Sequence, residues 1–213
     1  MRSGASCRPG RPRRCPCTVT VRWPPQECLS RIAASAGPAA AEMPGKRVIA
    51  MSQVQRQPRP TESVWDYPRP PCVVPDARRI VVRHGGVVLA DSGRCLRVLE
   101  TSHPPVFYVP REDVRTDLLI RSTRVTRCEW KGVACYWTLE VPGMTVEDVA
   151  WSYEEPEPAY AALAGHVAVY PGRVDSCTAD GERVLPQPGD FYGGWITGEV
   201  VGPFKGLAGS AGW

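Results

Sequence analysis

From Val133 to Val141 the sequence VACYWTLEV alternates two sets of side chains with a period of two. Val133, Cys135, Trp137, Leu139 and Val141 fall on one face of an extended chain, and Ala134, Tyr136, Thr138 and Glu140 on the other. A helical period would scatter these residues, so the stretch is predicted to be a strand that commits Cys135 and Trp137 to a core. The preceding residues, from Thr126, make it the second arm of a hairpin. The hairpin turn then decides where Cys128 points. A two-residue turn on Lys131-Gly132 sets Cys128 opposite Cys135 and faces it inward. A three-residue turn on Trp130-Lys131-Gly132 pairs it with Ala134 and faces it outward. One residue of register exchanges the two outcomes.

The same grammar of short apolar runs and turn residues continues on both sides. RIVVRHGGVVLADSG, from Arg79, reads as two strands around His84-Gly85-Gly86. Strands follow at Leu96–Leu99 and Val106–Val109, separated by His103-Pro104-Pro105, and REDVRTDLL reads as a single helical turn. A strand around Ala150–Tyr153 precedes one short helix with Pro158 near its start and Gly165 just past its end. His166–Tyr170 is a further strand, and Asp180-Gly181 turns another hairpin. The Gly-rich tail from Pro186 is expected to wrap the fold, because its aromatic residues need burial. About eight to ten short strands of this kind predict a mainly β fold of small antiparallel sheets with one short helix.

Charge divides the chain. The formal net charge of +4 hides nine Lys/Arg against two acids in residues 1–50 and 17 against 20 in residues 51–213. The first 50 residues show no period of 2 or 3.6 and little apolar surface, so they are expected to be a disordered or untranslated extension. Residues 51–78 are expected as an extended lead-in and 79–213 as one β-rich domain. That domain carries no clustered basic run, which excludes a nucleic-acid footprint. Nothing approaches the roughly 18 consecutive apolar residues of a membrane span. Its five cysteines (Cys72, Cys95, Cys128, Cys135 and Cys177) are odd in number and irregular in spacing, and no export signal precedes them. Free thiols and a cytoplasmic location are therefore expected.

No motif supplies a cofactor. There is no C-x-x-C pair in the domain, and six residues separate Cys128 from Cys135, so no metal site is expected. Phosphate-cradling glycine loops and G-x-S-x-G are likewise missing. What remains is a supply of aromatic and polar residues. In one reading the domain binds a small planar or anionic metabolite in an aromatic pocket, with Trp130, Tyr153 and Trp195 as walls. Glu100, Tyr108, Cys128, Lys131, Tyr153 and His166 are the polar set, and Tyr170 shares the face of His166. In a second reading it is an enzyme. Cys128 is then a nucleophile favoured by Lys131 or Arg127 with His103 or His166 as base, or His103 and Glu100 form an acid–base pair. In a third it is an interaction domain without a small ligand. For a free cysteine burial is the more usual fate, and a hairpin-tip lysine is more often solvated.

Four segments carry a family resemblance: LRVLETSHPPVFYVPREDV, TRCEWKGVACYW, AWSYEEPEPAYAALAGHVAVYPGRVD and QPGDFYGGWITGEVVGPFKGLAGSAGW. In this order, from about Trp65 to Trp213, they resemble the bacterial family catalogued as domain of unknown function 427. The block Cys128-Glu129-Trp130-Lys131-Gly132 is its most distinctive part. The resemblance implies that Met51 is close to the true start. It also implies a fold similar to the β-tent of methionine sulfoxide reductase B. Tent relatives often hold zinc with C-x-x-C pairs; this chain lacks them, so neither zinc nor reductase activity carries over. A nucleotidyltransferase-like label attached to the family finds no Gly-Ser with paired aspartates here.

Overall fold

The computed structural model describes residues 59–210 and 212–213; the expected extension over residues 1–50 lies outside them. Runs rich in Val, Ile and aromatic residues extend because branched and flat side chains suit a pleated surface, and glycine turns separate them. At the first hairpin both turn residues, Gly85 (φ +55°) and Gly86 (φ +76°), occupy the left-handed region that a two-residue turn of matching twist demands.

The strands in chain order are β1 (Glu62–Ser63), β2 (Cys72–Asp76), β3 (Ile80–His84), β4 (Val87–Ser92), β5 (Cys95–Glu100), β6 (His103–Pro110), β7 (Leu119–Cys128) and β8 (Gly132–Val141). They continue with β9 (Met144–Ser152), β10 (His166–Val169), β11 (Ser176–Ala179), β12 (Glu182–Arg183), β13 (Leu185–Pro186), β14 (Trp195–Ile196) and β15 (Val200–Val201). An antiparallel seven-stranded sheet runs β2-β5-β6-β10-β9-β8-β7, and a four-stranded sheet runs β12-β11-β3-β4. Two-stranded pairs β1-β15 and β13-β14 complete the set. The fold is mainly β, as the alternation requires. Residues 59–78, expected as a lead-in, contribute two strands, one of them an edge of the large sheet.

Helical structure is sparse. Pro158–Leu163 forms 3-10 turns broken at Tyr160 (φ −117°), and Gly165 (φ +71°) follows its end. REDVRTDLL forms two further 3-10 turns, Arg111–Asp113 and Thr116–Leu118.

Both faces of the seven-stranded sheet are buried. Phe107, Val109, Trp137, Leu139, Val167 and Val169 pack against Ile80, Val82, Leu89 and Cys177 of the smaller sheet. Alternate residues point the other way. Tyr108, Ala134, Tyr136, Trp151, Ala168 and Tyr170 build a second cluster with Tyr153, Tyr160 and Leu163. Val133 departs from its expected core position and is exposed, because it lies at the hairpin end beyond the reach of the smaller sheet.

A buried ionic network ties the ends of the described chain to this frame. Arg78 donates to Asp76 at 2.8–3.1 Å, bonds Glu199, and lies over the Phe107 ring at 4.8 Å. Arg97 bridges Asp76 (3.3 Å) and Glu62 (3.1 Å), and the Tyr67 hydroxyl donates to Glu62 at 2.7 Å. Burial opposes ionisation of Asp76, but its hydrogen bonds from Arg78 and the nearby charges outweigh that and hold its carboxyl below the usual range.

Candidate ligand pocket

The β7-β8 hairpin settles the orientation of Cys128. Cys128 pairs with Gly132 and Thr126 with Ala134, so the loop is Glu129-Trp130-Lys131 and Gly132 (φ +95°) closes it. Neither expected turn is the one formed. Cys128 nevertheless lies on the Ala134 and Tyr136 side, the side that the three-residue alternative assigned it. That side is not solvent: Cys128 and Trp130 pack against the second cluster of tyrosines.

The loop folds down onto the sheet. Lys131 accepts a backbone hydrogen bond from Glu157 (3.2 Å), and its side chain turns inward. Only 7% of Lys131 is exposed, against the expectation of a solvated hairpin tip. Its Nζ reaches Glu100 Oε2 at 3.4 Å. Glu100 ends β5 and is the register partner of His103, which begins β6. His103 is buried with Nδ1 2.9 Å from the Thr101 carbonyl, which can only accept, so the proton sits on Nδ1 and Nε2 is left as an acceptor. Burial lowers its pKa most; the Thr101 carbonyl and Glu100 act against this, while Lys205 and Lys131 add to it. The ring is neutral at pH 7. No hydrogen bond or ion pair joins it to Glu100 among the described residues, so these two are neighbours in one wall and not a bonded acid–base pair.

Between these walls lies a pocket of about 380 Å3. Tyr108, Tyr136, Trp151, Tyr153 and Tyr170 form its floor and Cys128 one side. Trp151 Nε1 donates to the Tyr108 hydroxyl (3.2 Å), and the Tyr136 hydroxyl meets Thr126 Oγ1 (2.9 Å). Burial, first among the causes, raises the pKa of Tyr108, Tyr153 and Tyr170, so all three are neutral phenols at pH 7. The opposite side comes from the Gly-rich wrap: Gln187, Phe191, Tyr192, Gly193 and Lys205. The Tyr170 hydroxyl holds this wrap by donating to the Phe191 carbonyl at 3.0 Å. Gly193 is required where it passes Trp151, since a Cβ there would lie 2.3 Å from the indole ring.

Charge around the pocket is unequal. Arg69, Arg127, Lys131 and Lys205 line it against Glu100 and Glu129, four cations to two carboxylates. The ion pairs are long: Arg69–Glu129 3.4 Å, Lys131–Glu100 3.4 Å and Arg127–Glu157 3.7 Å. Charge-assisted hydrogen bonds at full strength run nearer 2.7–2.9 Å.

Nine of the eleven residues singled out in the sequence line this one pocket: Glu100, His103, Tyr108, Arg127, Cys128, Trp130, Lys131, Tyr153 and Tyr170. Two do not. Trp195 is fully buried between the sheets, its ring tilted against Phe107 and its indole N–H donating to Val169 (3.1 Å). β13-β14 pairing carries it into the core, which corrects its expected role as a pocket wall. His166 heads β10 opposite Pro110, with Nδ1 3.0 Å from Ala164, in a shallow groove with Arg94 and Arg111. Alternation with Ala168 and Tyr170 held, but the strand carries His166 past the end of the pocket. Arg69, Thr126, Tyr136, Gln187, Tyr192 and Lys205 join the lining without having been anticipated. Tyr136 was signalled by its parity with Ala134; a wrap without periodicity offers no comparable signal for Gln187, Tyr192 or Lys205.

Cys128 forms no ion pair or hydrogen bond with a lysine, arginine or histidine among the described residues, and its neighbours are phenols. None of the five described cysteines is in a disulfide. No described helix is long and apolar enough to cross a membrane.

Residues 72–180 match the family model NTP_transf_9, described as a domain of unknown function (DUF427). The match covers the hairpin, the tyrosine floor and the His103 wall, and stops before the wrap that closes the pocket. No curated protein matches the chain.

Proposed function

We propose a function from one premise: the chain belongs to the DUF427 family, and the feature that its fold builds with most care is the tyrosine-floored pocket. The pocket binds a small planar anion, its flat body on the aromatic floor and its charge toward Lys131 and its neighbours. The observation that carries this reading is the excess of cations over carboxylates around an aromatic cavity of about 380 Å3, a volume within the range of small-molecule sites. Aromatic faces supply contact area at low entropic cost, and partly desolvated cations fix orientation. The long ion pairs leave Arg69, Arg127 and Lys131 able to accept a better partner than Glu129, Glu157 or Glu100, while Lys205 already donates to the Trp213 oxygen.

The name of the family model points toward nucleotidyl transfer, which relies on carboxylate-held divalent metal. The residues present do not fit it. Glu100 and Glu129 each face a cation, and no group of three or more His, Cys, Asp or Glu side chains among the described residues is placed to hold a metal ion. No nucleophilic step is assigned to Cys128 either, because no lysine, arginine or histidine among the described residues hydrogen-bonds or ion-pairs with it to act as base or counter-charge.

Titration with benzoate and with neutral benzamide, followed by tryptophan fluorescence and calorimetry, tests the reading. Benzoate is expected to bind at least tenfold more tightly, and Lys131→Met to remove most of that preference. Equal binding of acid and amide, or no binding of either, overturns it.

A further inference from the structure

The buried phenols of the floor are not equivalent. Tyr170 donates to the Phe191 carbonyl, Tyr160 to the Pro71 carbonyl at 2.9 Å, and Tyr136 shares its hydrogen with Thr126. Tyr108 and Tyr153 have no such outlet. The Tyr153 hydroxyl makes no hydrogen bond among the described residues; beside it in the pocket lie Cys128 and Tyr108, whose ring centroid is 6.3 Å away, and the Tyr108 oxygen already receives the Trp151 indole N–H. No carbonyl or carboxylate among the described residues accepts from either hydroxyl. One indole N–H, two phenol O–H groups and one S–H thus have only two phenol oxygens and a sulfur beside them, and sulfur is a weak acceptor. A buried hydroxyl without a good acceptor carries a penalty that a suitable partner relieves. Both residues line the pocket while being at least nine-tenths buried.

We infer that the Tyr108–Tyr153–Cys128 corner is a subsite for an oxygen that only accepts hydrogen bonds, so that the ligand is a planar acid with a carbonyl-type oxygen at the end opposite its charge. This rests on the anion-binding reading above and sharpens it. The acid group sits at the Lys131 wall, the ring lies over the floor, and the far oxygen accepts the hydrogens of the two phenols. Burial raises the pKa of both phenols, so they remain donors across the physiological range. An apolar group of the same shape leaves those donors unrelieved, and an amino group brings hydrogens to a corner already crowded with them.

The test compares 4-acetylbenzoate with its near-isostere 4-isopropylbenzoate and with 4-aminobenzoate, by calorimetry on the full chain. The acetyl acid is expected to bind roughly tenfold more tightly than either. Tyr153→Phe and, independently, Tyr108→Phe are expected to shrink that ratio below about threefold, with thermal melts reporting that each variant is folded. A ratio that survives both variants overturns the assignment to this corner. Equal binding of the acetyl and isopropyl acids overturns the acceptor subsite and leaves the anion-binding reading standing. Failure of all three acids to bind overturns both.

Discussion

On one face of the seven-stranded sheet Phe107, Trp137, Leu139 and Trp195 close against a second sheet; on the other, Tyr108, Tyr136, Trp151, Tyr153 and Tyr170 meet only loops and the Gly-rich wrap. The first interface is sheet on sheet with few polar atoms, among them the indole N–H of Trp195 on Val169. The second spends a hydroxyl or indole N–H at nearly every large residue and still leaves a cavity. A core gains nothing from such polar atoms or from the unfilled volume, since close packing and apolar area hold it together. The two faces of one set of strands are thus divided between stability and recognition. The ionic groups divide likewise. Arg78, Asp76 and Glu199 are close-set and closed to solvent, whereas the pairs of the pocket are long and incomplete.

The sharpest way to break this contrast is to remove a large side chain from the closed face. Trp195→Ala is expected to cost about 3–5 kcal/mol, read by urea unfolding, because no neighbour can refill a site enclosed by two sheets. A loss under about 1 kcal/mol would falsify the assignment of Trp195 to the core. Arg78→Met is next, at about 3 kcal/mol, since it strands Asp76 and Glu199 in a buried site with only Arg97 nearby. Its pH dependence has a definite sign. The folded-state pKa of Asp76 lies below its unfolded value near 3.9, so its contribution is complete above that pH and is lost as pH falls through the lowered value. The variant should accordingly show a shallower acid limb below about pH 4 than the parent protein.

How much of this contrast was legible in the sequence follows from where local rules reach. Gly85-Gly86 and Asp180-Gly181 place positive φ at both turn positions, so the hairpins they close could be read directly. The alternation of Ala134 to Leu139 correctly separated two faces, because the sheet imposes period two whatever covers it. It could not say that both faces are buried, since a polar-looking set of Tyr, Thr and Ala is as suitable for a wet surface as for a tyrosine cluster. The register of Cys128 escaped because Gly132 was counted inside the turn, whereas its positive φ closes a loop one residue earlier. Trp195 was read as a pocket wall and His166 as a pocket ligand because neither the β13-β14 pairing nor the length of β10 beyond the pocket is written locally. Lys205 and Tyr192 come from a segment with no period at all.

On the open face the expected effects are smaller and shift from stability to binding. Gly193→Ala brings a methyl group to 2.3 Å from the Trp151 ring, so the wrap must move outward. Overpacking of this kind costs about 1–3 kcal/mol, and displacement of Tyr192 and Lys205 with it should weaken benzoate binding more than it lowers the melting temperature of the chain. Parallel calorimetry and thermal melts separate the two.

The mildest change is Tyr170→Phe, which keeps the ring over Trp151 (4.4 Å between centroids) and removes only the hydroxyl that donates to Phe191. The net loss should be about 1 kcal/mol, because the freed carbonyl lies near the exposed Phe191 and water can replace the lost donor. Hydrogen exchange offers the more pointed readout. If the open face is held by separate polar ties while the closed face is held by packing, protection should fall at residues 190–194 and stay unchanged in β6 and β8. A uniform fall across both faces would mean that the wrap and the inter-sheet core unfold as one unit, and that the division between them is one of chemistry but not of stability.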